Sequence, residues 1–230
     1  MQQKKYRDAS GLFVAEGPKV ITELRRAGFQ ADYYFSTEVT DADDQDAVLI
    51  SESELKKISS LKTPNTSLAV FRKPDYPEFM ESGLIVALDA VRDPGNLGTI
   101  IRLCDWFGVE RIVCSKDTVD CFNPKVIQAT MGSIGRVAVH YVDLVSFLRN
   151  TKLDVIGAVM DGNSVYETNL PSQGILVMGN EANGMSEQVN RSLNLRVTIP
   201  RFGADQEAES LNVATATAIL LNEFRRSTGK

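Results

Sequence analysis

The stretch LIVALDAVRDPGNLGTIIRLCDWFGVERIV, Leu84 to Val113, limits what this chain can fold into more than any other part. Leu84 to Val91 is nearly unbroken apolar sequence of strand length, the mark of a parallel strand buried on both faces. Pro94 and Gly95 stop it. Leu97, Ile100, Ile101, Cys104 and Phe107 then recur at helical spacing, and Val109 to Val113 reads as the next strand. Strand, glycine-bearing turn, helix and strand make a parallel crossover unit, so the expected class is α/β: a mainly parallel sheet with helices on both faces. Asn96 and Arg102 fall off the apolar stripe near the carboxyl end of a buried strand, where open α/β sheets bind ligands. The turn PGNLGT does not fit G-x-G-x-x-G, which disfavours a nucleotide-dependent oxidoreductase.

The rest of the chain repeats this rhythm. Up to about residue 75 it reads as a small α/β unit: strands at Leu12 to Ala15, Tyr33 to Phe35, Val48 to Ile50 and Ser67 to Phe71, and helices at Pro18 to Ala27 and Ser53 to Ile58. Lys73 to Gly83 holds two prolines and is the best linker, giving an expected boundary near 78 and domains 1–78 and 79–230. Beyond Val113, Pro124 to Met131 and Asp143 to Asn150 read as helices, with Gly132 to Gly135 as a break. Strands are expected at Val137 to Tyr141, Val155 to Val159, Ile175 to Met178 and Leu195 to Ile199, and a closing helix at Ser210 to Arg226 with Ser210 as its N-cap.

Two further strand-end turns follow the logic of the first. In ILVMGNEANGMSE, Ile175 to Glu187, an apolar strand deposits Glu181 between glycines. In VTIPRFGADQEAESLNVATATA, a strand ends at Ile199 and Pro200, and a polar loop leads to Ser210 and Asn212.

Composition bounds the function. The 230 residues carry a formal net charge of −5, which argues against a broad surface for coating nucleic acid. The charge is unevenly spread. Lys4, Lys5, Arg7, Lys19, Arg25 and Arg26 give the first 26 residues a positive excess, whereas Asp32 to Glu54 holds eight acids and no base. Cys104, Cys114 and Cys121 show no C-x-x-C spacing, so they read as reduced thiols, two of them in the core, and no metal is expected. No segment has the length of a membrane span or the form of a secretory signal, so a cytoplasmic protein is expected. His140, the single histidine, lies outside the three turns and reads as structural.

DPGNLGTIIRLCDWFGV, VMGNEANGM and IPRFG…ESLNVATATAI resemble, in order, the three signature motifs of the SpoU (TrmH) class of RNA 2′-O-ribose methyltransferases in the SPOUT superfamily. The opening KKYRDASGLFVAEGPKVITELRRAGF resembles the family's L30e-like RNA-binding domain. The resemblance implies a deep carboxy-terminal trefoil knot, which general topology rules alone would reject. It also implies S-adenosylmethionine as cofactor, a homodimer, and RNA as substrate, with ribosomal RNA favoured over transfer RNA because of the amino-terminal domain. Carried over by motif, Asn96, Arg102, Glu181, Ser210 and Asn212 are the expected catalytic residues, and Gly179, Ile199 and Leu211 hold the adenosine part of the cofactor. Lys4, Lys5 and Arg7 are the expected RNA contacts.

Methyl transfer from a sulfonium needs alignment of the ribose hydroxyl and removal of its proton rather than covalent help. Arg102 suits orientation of a phosphate and stabilisation of oxyanion charge better than a base role, because a guanidinium stays protonated. The loop from Pro200 to Ser210, with Arg201, Asp205, Glu207 and Glu209, is longer than the common family pattern and bears on the position of Ser210. The competing reading is a catalytically silent RNA-binding or assembly protein, which the acidic balance would suit.

Overall fold

The computed structural model describes residues 1, 3–38, 47–76, 79–203 and 210–227. Asp205, Glu207 and Glu209 of the long loop lie outside the described residues. The elements in chain order begin with α1 (Lys4–Ser10), β1 (Leu12–Glu16), α2 (Pro18–Arg26), β2 (Ala31–Ser36), β3 (Val48–Leu49), α3 (Glu52–Ile58) and β4 (Ser67–Arg72). Next come β5 (Leu84–Leu88), α4 (Pro94–Trp106), β6 (Arg111–Ser115), α5 (Pro124–Thr130), β7 (Ala138–Val142) and α6 (Leu144–Asn150). The chain closes with β8 (Val155–Ser164), β9 (Gly174–Met178), α7 (Glu187–Asn190), β10 (Leu195–Thr198) and α8 (Val213–Ser227). Two compact units result, Met1–Pro77 with Asp120–Arg136, and Glu78–Val119 with Val137–Lys230. None of the described helices is long and apolar enough to cross a membrane.

The first unit holds a four-stranded sheet in the order β1-β4-β2-β3, antiparallel except for the β2/β3 pair. Gly17 at φ +95° and Pro18 at the first helical position start α2, whose Val20, Ile21 and Leu24 are buried. Phe13 stands at the centre of the core, its ring 5.7 Å from Phe71, 5.8 Å from Phe29 and 4.8 Å from Phe122. Phe122 belongs to Asp120–Arg136, a segment from beyond the expected boundary near 78. Gly132 and Gly135 explain how that segment closes on α2: a Cβ at Gly132 would lie 2.4 Å from Glu23 Cβ, and one at Gly135 would lie 2.5 Å from Ala27 Cβ. Side chains there would push the helix away.

The helix α1 carries no apolar stripe, and its one buried side chain is Arg7. Arg7 is 2% exposed and its Nε and Nη2 donate to Asp120 Oδ2 at 2.9 and 2.5 Å, while Nη1 donates to the Met1 carbonyl at 2.8 Å. This corrects the expectation that Arg7 meets RNA. Its guanidinium is an internal strut, because a buried cation must be paired with and hydrogen-bonded to its neighbours. Lys4 and Lys5 are exposed, with Lys5 Nζ 4.8 Å from the Tyr6 ring centre.

The second unit is a six-stranded sheet in the order β10-β8-β9-β5-β6-β7, every pair parallel. Its central strands β5 and β9 are buried at every position, as the unbroken apolar runs require. A fully buried Val, Leu or Ile side chain stabilises by about 1.5–3 kcal/mol. The strand β8 runs five residues past its expected end at Val159, and Gly162 lets it run close beside its neighbour β10, where a Cβ would meet Val197 backbone at 2.6 Å. All three cysteines are buried and unbridged, one more in the core than expected, and burial pushes the Cys104 thiol far up. His140 is half-buried on β7 with its ring 5.1 Å from Phe79.

Candidate functional site

Because all six strands run parallel, their carboxyl ends and the turns that follow lie along one edge of the sheet. After β5, Asp93 caps α4 by accepting from Asn96 N at 2.8 Å, with Pro94 at the first helical position. The cap fixes Asn96 in the first turn. Leu97, Ile100, Ile101 and Cys104 are buried, while Arg102 is exposed and has no partner among the described residues.

After β9, the chain makes a closed loop. Asn180 and Gly184 exchange backbone hydrogen bonds at 2.9 Å in both directions, and Asn180 Oδ1 accepts from the N–H groups of Ala182 and Asn183 at 3.0 and 3.1 Å. Gly184 takes φ +66°, and a Cβ on Gly179 would sit 2.4 Å from the backbone of Gly184 and Met185, so neither tolerates a side chain. Asn180 Nδ2 donates to the Ala90 carbonyl at 2.7 Å and Ser186 N donates to Asp89 Oδ2 at 2.7 Å, tying the loop to the end of β5 from both sides. Sequence reasoning missed Asn180 as an organiser. The available signal was an asparagine opening a short glycine-closed turn.

Before α8, Asn212 is the N-cap: its Oδ1 accepts from Ala214 N at 3.0 Å and Thr215 N at 3.2 Å. This corrects the expectation that Ser210 caps the helix and that Asn212 lies in its first turn. Ser210 is exposed, three residues before the first helical position. At the other end, Arg225 donates to the carbonyls of Phe107 and Gly108 at 2.6 and 2.8 Å, locking α8 to the end of α4.

The three turns meet through side chains. Asn212 Nδ2 donates to Asn96 Oδ1 at 2.9 Å, and Asn96 Nδ2 donates to Glu181 Oε1 at 2.8 Å. Each asparagine amide thus faces one neighbour as donor and another group as acceptor, which leaves the carboxylate of Glu181 at one end of an aligned chain of dipoles. Of the expected catalytic residues, Asn96, Glu181 and Asn212 are in direct contact. Arg102 and Ser210 join none of these bonds.

A cavity of about 640 Å³ opens beside this chain, and Gly179, Ile199 and Leu211 all line it together with Met178, Val213 and Leu220. Those first three residues lie just outside the strand and helix ladders, so their backbone groups can serve a ligand. Apolar walls with a few polar groups along one side suit a nucleoside.

The model of the SpoU rRNA Methylase family matches residues 83–222, and that of the MRM3-like substrate binding domain matches residues 1–69. The chain is 29% identical to the 23S rRNA (guanosine(2553)-2′-O)-methyltransferase RlmP of Bacillus subtilis, over 98% of this chain and 93% of the relative. Among solved structures, a TrmH-family RNA methyltransferase from Porphyromonas gingivalis is 39% identical with a TM-score of 0.86, covering 98% of this chain and 94% of that one. The AdoMet-bound rRNA methyltransferase of Sinorhizobium meliloti is 30% identical with a TM-score of 0.84, covering 98% and 91%. The parallel sheet matches these structures, the three turns fall inside the matched region, and the chain belongs to the SpoU rRNA methylase family.

Proposed function

We propose that this chain is an S-adenosylmethionine-dependent RNA 2′-O-ribose methyltransferase that acts on ribosomal RNA in the cytoplasm. The observation that carries the reading is the hydrogen-bonded chain Asn212–Asn96–Glu181, which joins all three motif turns beside a nucleoside-sized cavity. The relative from Bacillus subtilis, matched over nearly the whole chain, is named for this reaction on 23S rRNA. The cofactor, when bound, supplies a methyl group on a sulfonium with a neutral leaving group.

The residues do the rest. Gly179, Ile199 and Leu211 hold the adenosine part through their backbone groups. Glu181, oriented by Asn96 and Asn180, and Ser210, on the cavity wall, position the ribose. Through its planar fork, Arg102 aligns an RNA phosphate and stabilises charge developing on the 2′-oxygen as its proton passes to solvent water. The side chain of Arg102 has no partner among the described residues, and Trp106 on the same helix is 85% exposed. Both features support a homodimer in which the second subunit completes the site. The chain path is proposed to thread as a trefoil knot. Residues 1–78 are proposed to bind RNA through Lys4 and Lys5, with 79–230 as the methyltransferase domain; Asp120–Arg136 packs within the first compact unit.

Mapping ribose methylation across total RNA with and without the gene tests the whole reading. Loss of one ribosomal 2′-O-methyl group, restored by purified protein and S-adenosylmethionine, is expected. Loss confined to transfer RNA would select the alternative substrate, and a base methylation or an unchanged profile would overturn the reaction.

A further inference from the structure

Ala90, just past the end of β5 where the chain turns toward α4, takes φ +56°, in the left-handed region. A residue with a Cβ rarely settles there, because the Cβ crowds the following carbonyl oxygen, and such a position persists only where its surroundings hold it. Both backbone polar groups of Ala90 are held by side chains from neighbouring strands. Its N–H donates to Ser115 Oγ at 2.9 Å, and its carbonyl accepts from Asn180 Nδ2 at 2.7 Å. Ser115 is the last residue of β6 and Asn180 follows β9, so one strained residue joins the ends of three adjacent strands.

The hydroxyl protons show how Ser115 is braced. Thr118, 4% exposed, donates to the Leu88 carbonyl at 3.2 Å. A hydroxyl has one proton, so the 3.2 Å contact between Thr118 Oγ1 and Ser115 Oγ runs from Ser115 to Thr118, which leaves the Ser115 lone pairs for the Ala90 N–H. The two hydroxyls thus bridge β5 to its own turn, from the Leu88 carbonyl to the Ala90 N–H. Val119 N adds a bond to the Val91 carbonyl at 3.0 Å. On the other side, Asn180 has every polar group engaged: Nδ2 meets the Ala90 carbonyl and, at 3.4 Å, Glu181 Oε2, while Oδ1 accepts from the N–H groups of Ala182 and Asn183. That amide keeps its orientation only while the Ala90 carbonyl faces it. Relaxation of Ala90 to negative φ would turn the carbonyl away.

We propose that Ser115, which lies outside the three motif turns, is a positioning residue for Glu181. Braced by Thr118, it keeps Ala90 in the left-handed region, and Ala90 in turn holds Asn180 and the loop that presents Glu181 to Asn96. The proposal rests on the RNA methyltransferase reading, in which Glu181 positions the ribose. It also carries its own control. Glycine takes positive φ without a Cβ penalty, so a glycine at position 90 would not need the brace.

The full-length wild type is compared with Ser115→Ala, Ser115→Thr, and Ser115→Ala combined with Ala90→Gly. Methyl-transfer kinetics use ribosomal RNA from cells that lack the gene, and hydrogen exchange is followed at the amides of Ala182, Asn183 and Gly184. Ser115→Ala should lower kcat about tenfold with KM for RNA within about twofold, and exchange at the three amides should quicken about tenfold. Ser115→Thr, which keeps the hydroxyl, and the glycine double variant should bring both readouts to within about threefold of wild type. If Ser115→Ala does not fold, Thr118→Val, alone and with Ala90→Gly, takes its place, since it keeps the buried shape and removes the group that Ser115 donates to. Wild-type kcat in Ser115→Ala, a loss of kcat with unchanged loop exchange, or no recovery in the glycine double variant would overturn the proposal. A wild-type chain that methylates no RNA would sink the enzymatic reading instead, and the exchange measurements would still decide whether Ser115 holds the loop.

Discussion

The two compact units use polar side chains in opposite ways. In the first, Arg7 is buried and locked at 2.5 Å to the half-buried Asp120, 113 residues away in sequence. In the second, Asn96, Glu181 and Asn212 form their bonds near the surface, beside a cavity, and join three turns rather than closing a core. The first arrangement holds a fold together. The second holds polar groups in place at the mouth of a cavity while leaving them open to solvent. Residue type does not separate the two uses, since Arg7 and Arg102 are both helical arginines; burial and partners do.

Breaking the buried pair should have the largest effect. Arg7→Ala leaves an unpaired buried carboxylate and should cost about 3–5 kcal/mol, read by denaturant unfolding, whereas Arg7→Met with Asp120→Leu should recover most of it. Lys4→Ala with Lys5→Ala should leave stability nearly unchanged and flatten the salt dependence of RNA binding. A stable Arg7→Ala protein would erase the contrast between the units.

Next comes Arg102→Ala, expected to reduce methyl transfer by two orders of magnitude, about 3 kcal/mol, with cofactor affinity and unfolding midpoint unchanged. Lys at this position should rescue poorly, because it keeps the charge and loses the planar fork. An unfolding midpoint lowered along with the activity would make Arg102 structural, like Arg7.

Asn212 permits a sharper cut. Asn212→Ala removes a cap and should cost about 1 kcal/mol of stability, seen in thermal unfolding. Asn212→Asp keeps the acceptor for Ala214 and Thr215 but loses the donor to Asn96, so it should stay folded and lose activity. Equal activity in the aspartate variant and the wild type would reduce Asn212 to a cap.

The smallest effect concerns His140. Burial, and secondarily the Arg111 guanidinium, hold its imidazole below the usual range. The folded state therefore disfavours the proton, so stability is full above the unfolded value of about 6.5 and falls as pH drops below it. Replacement by Gln should flatten the fall in melting temperature between pH 7 and 5. An identical slope in both proteins would remove His140 from the acid response.

Much of the second unit was legible because its chemistry is local: apolar runs gave β5 and β9, and the turn residues after them stood next to the strands that present them. Less of the first unit was. The helix α1 escaped a search for apolar periodicity because its buried side chain is a charged one, Arg7. Nothing near Pro124 tells a reader which sheet α5 will join, since the partners of Asp120–Arg136 in α1, β1 and α2 are over a hundred residues upstream; only Gly132 and Gly135 hinted at a close approach. The start of α8 was ambiguous for another reason. Ser210 and Asn212 are both good caps, and the choice is made by the tertiary partner of Asn212.

The central claim is that three turns act as one site, and a double-mutant cycle on methyl transfer tests it most directly. Asn96→Ala, Asn212→Ala and the double variant should be compared in kcat/KM at matched cofactor saturation, each checked for folding. For a coupled site, the double variant should be little worse than the poorer single variant, because either change already breaks the chain that orients Glu181. Losses that multiply would mean that the two asparagines act independently, and would contradict the single-site account.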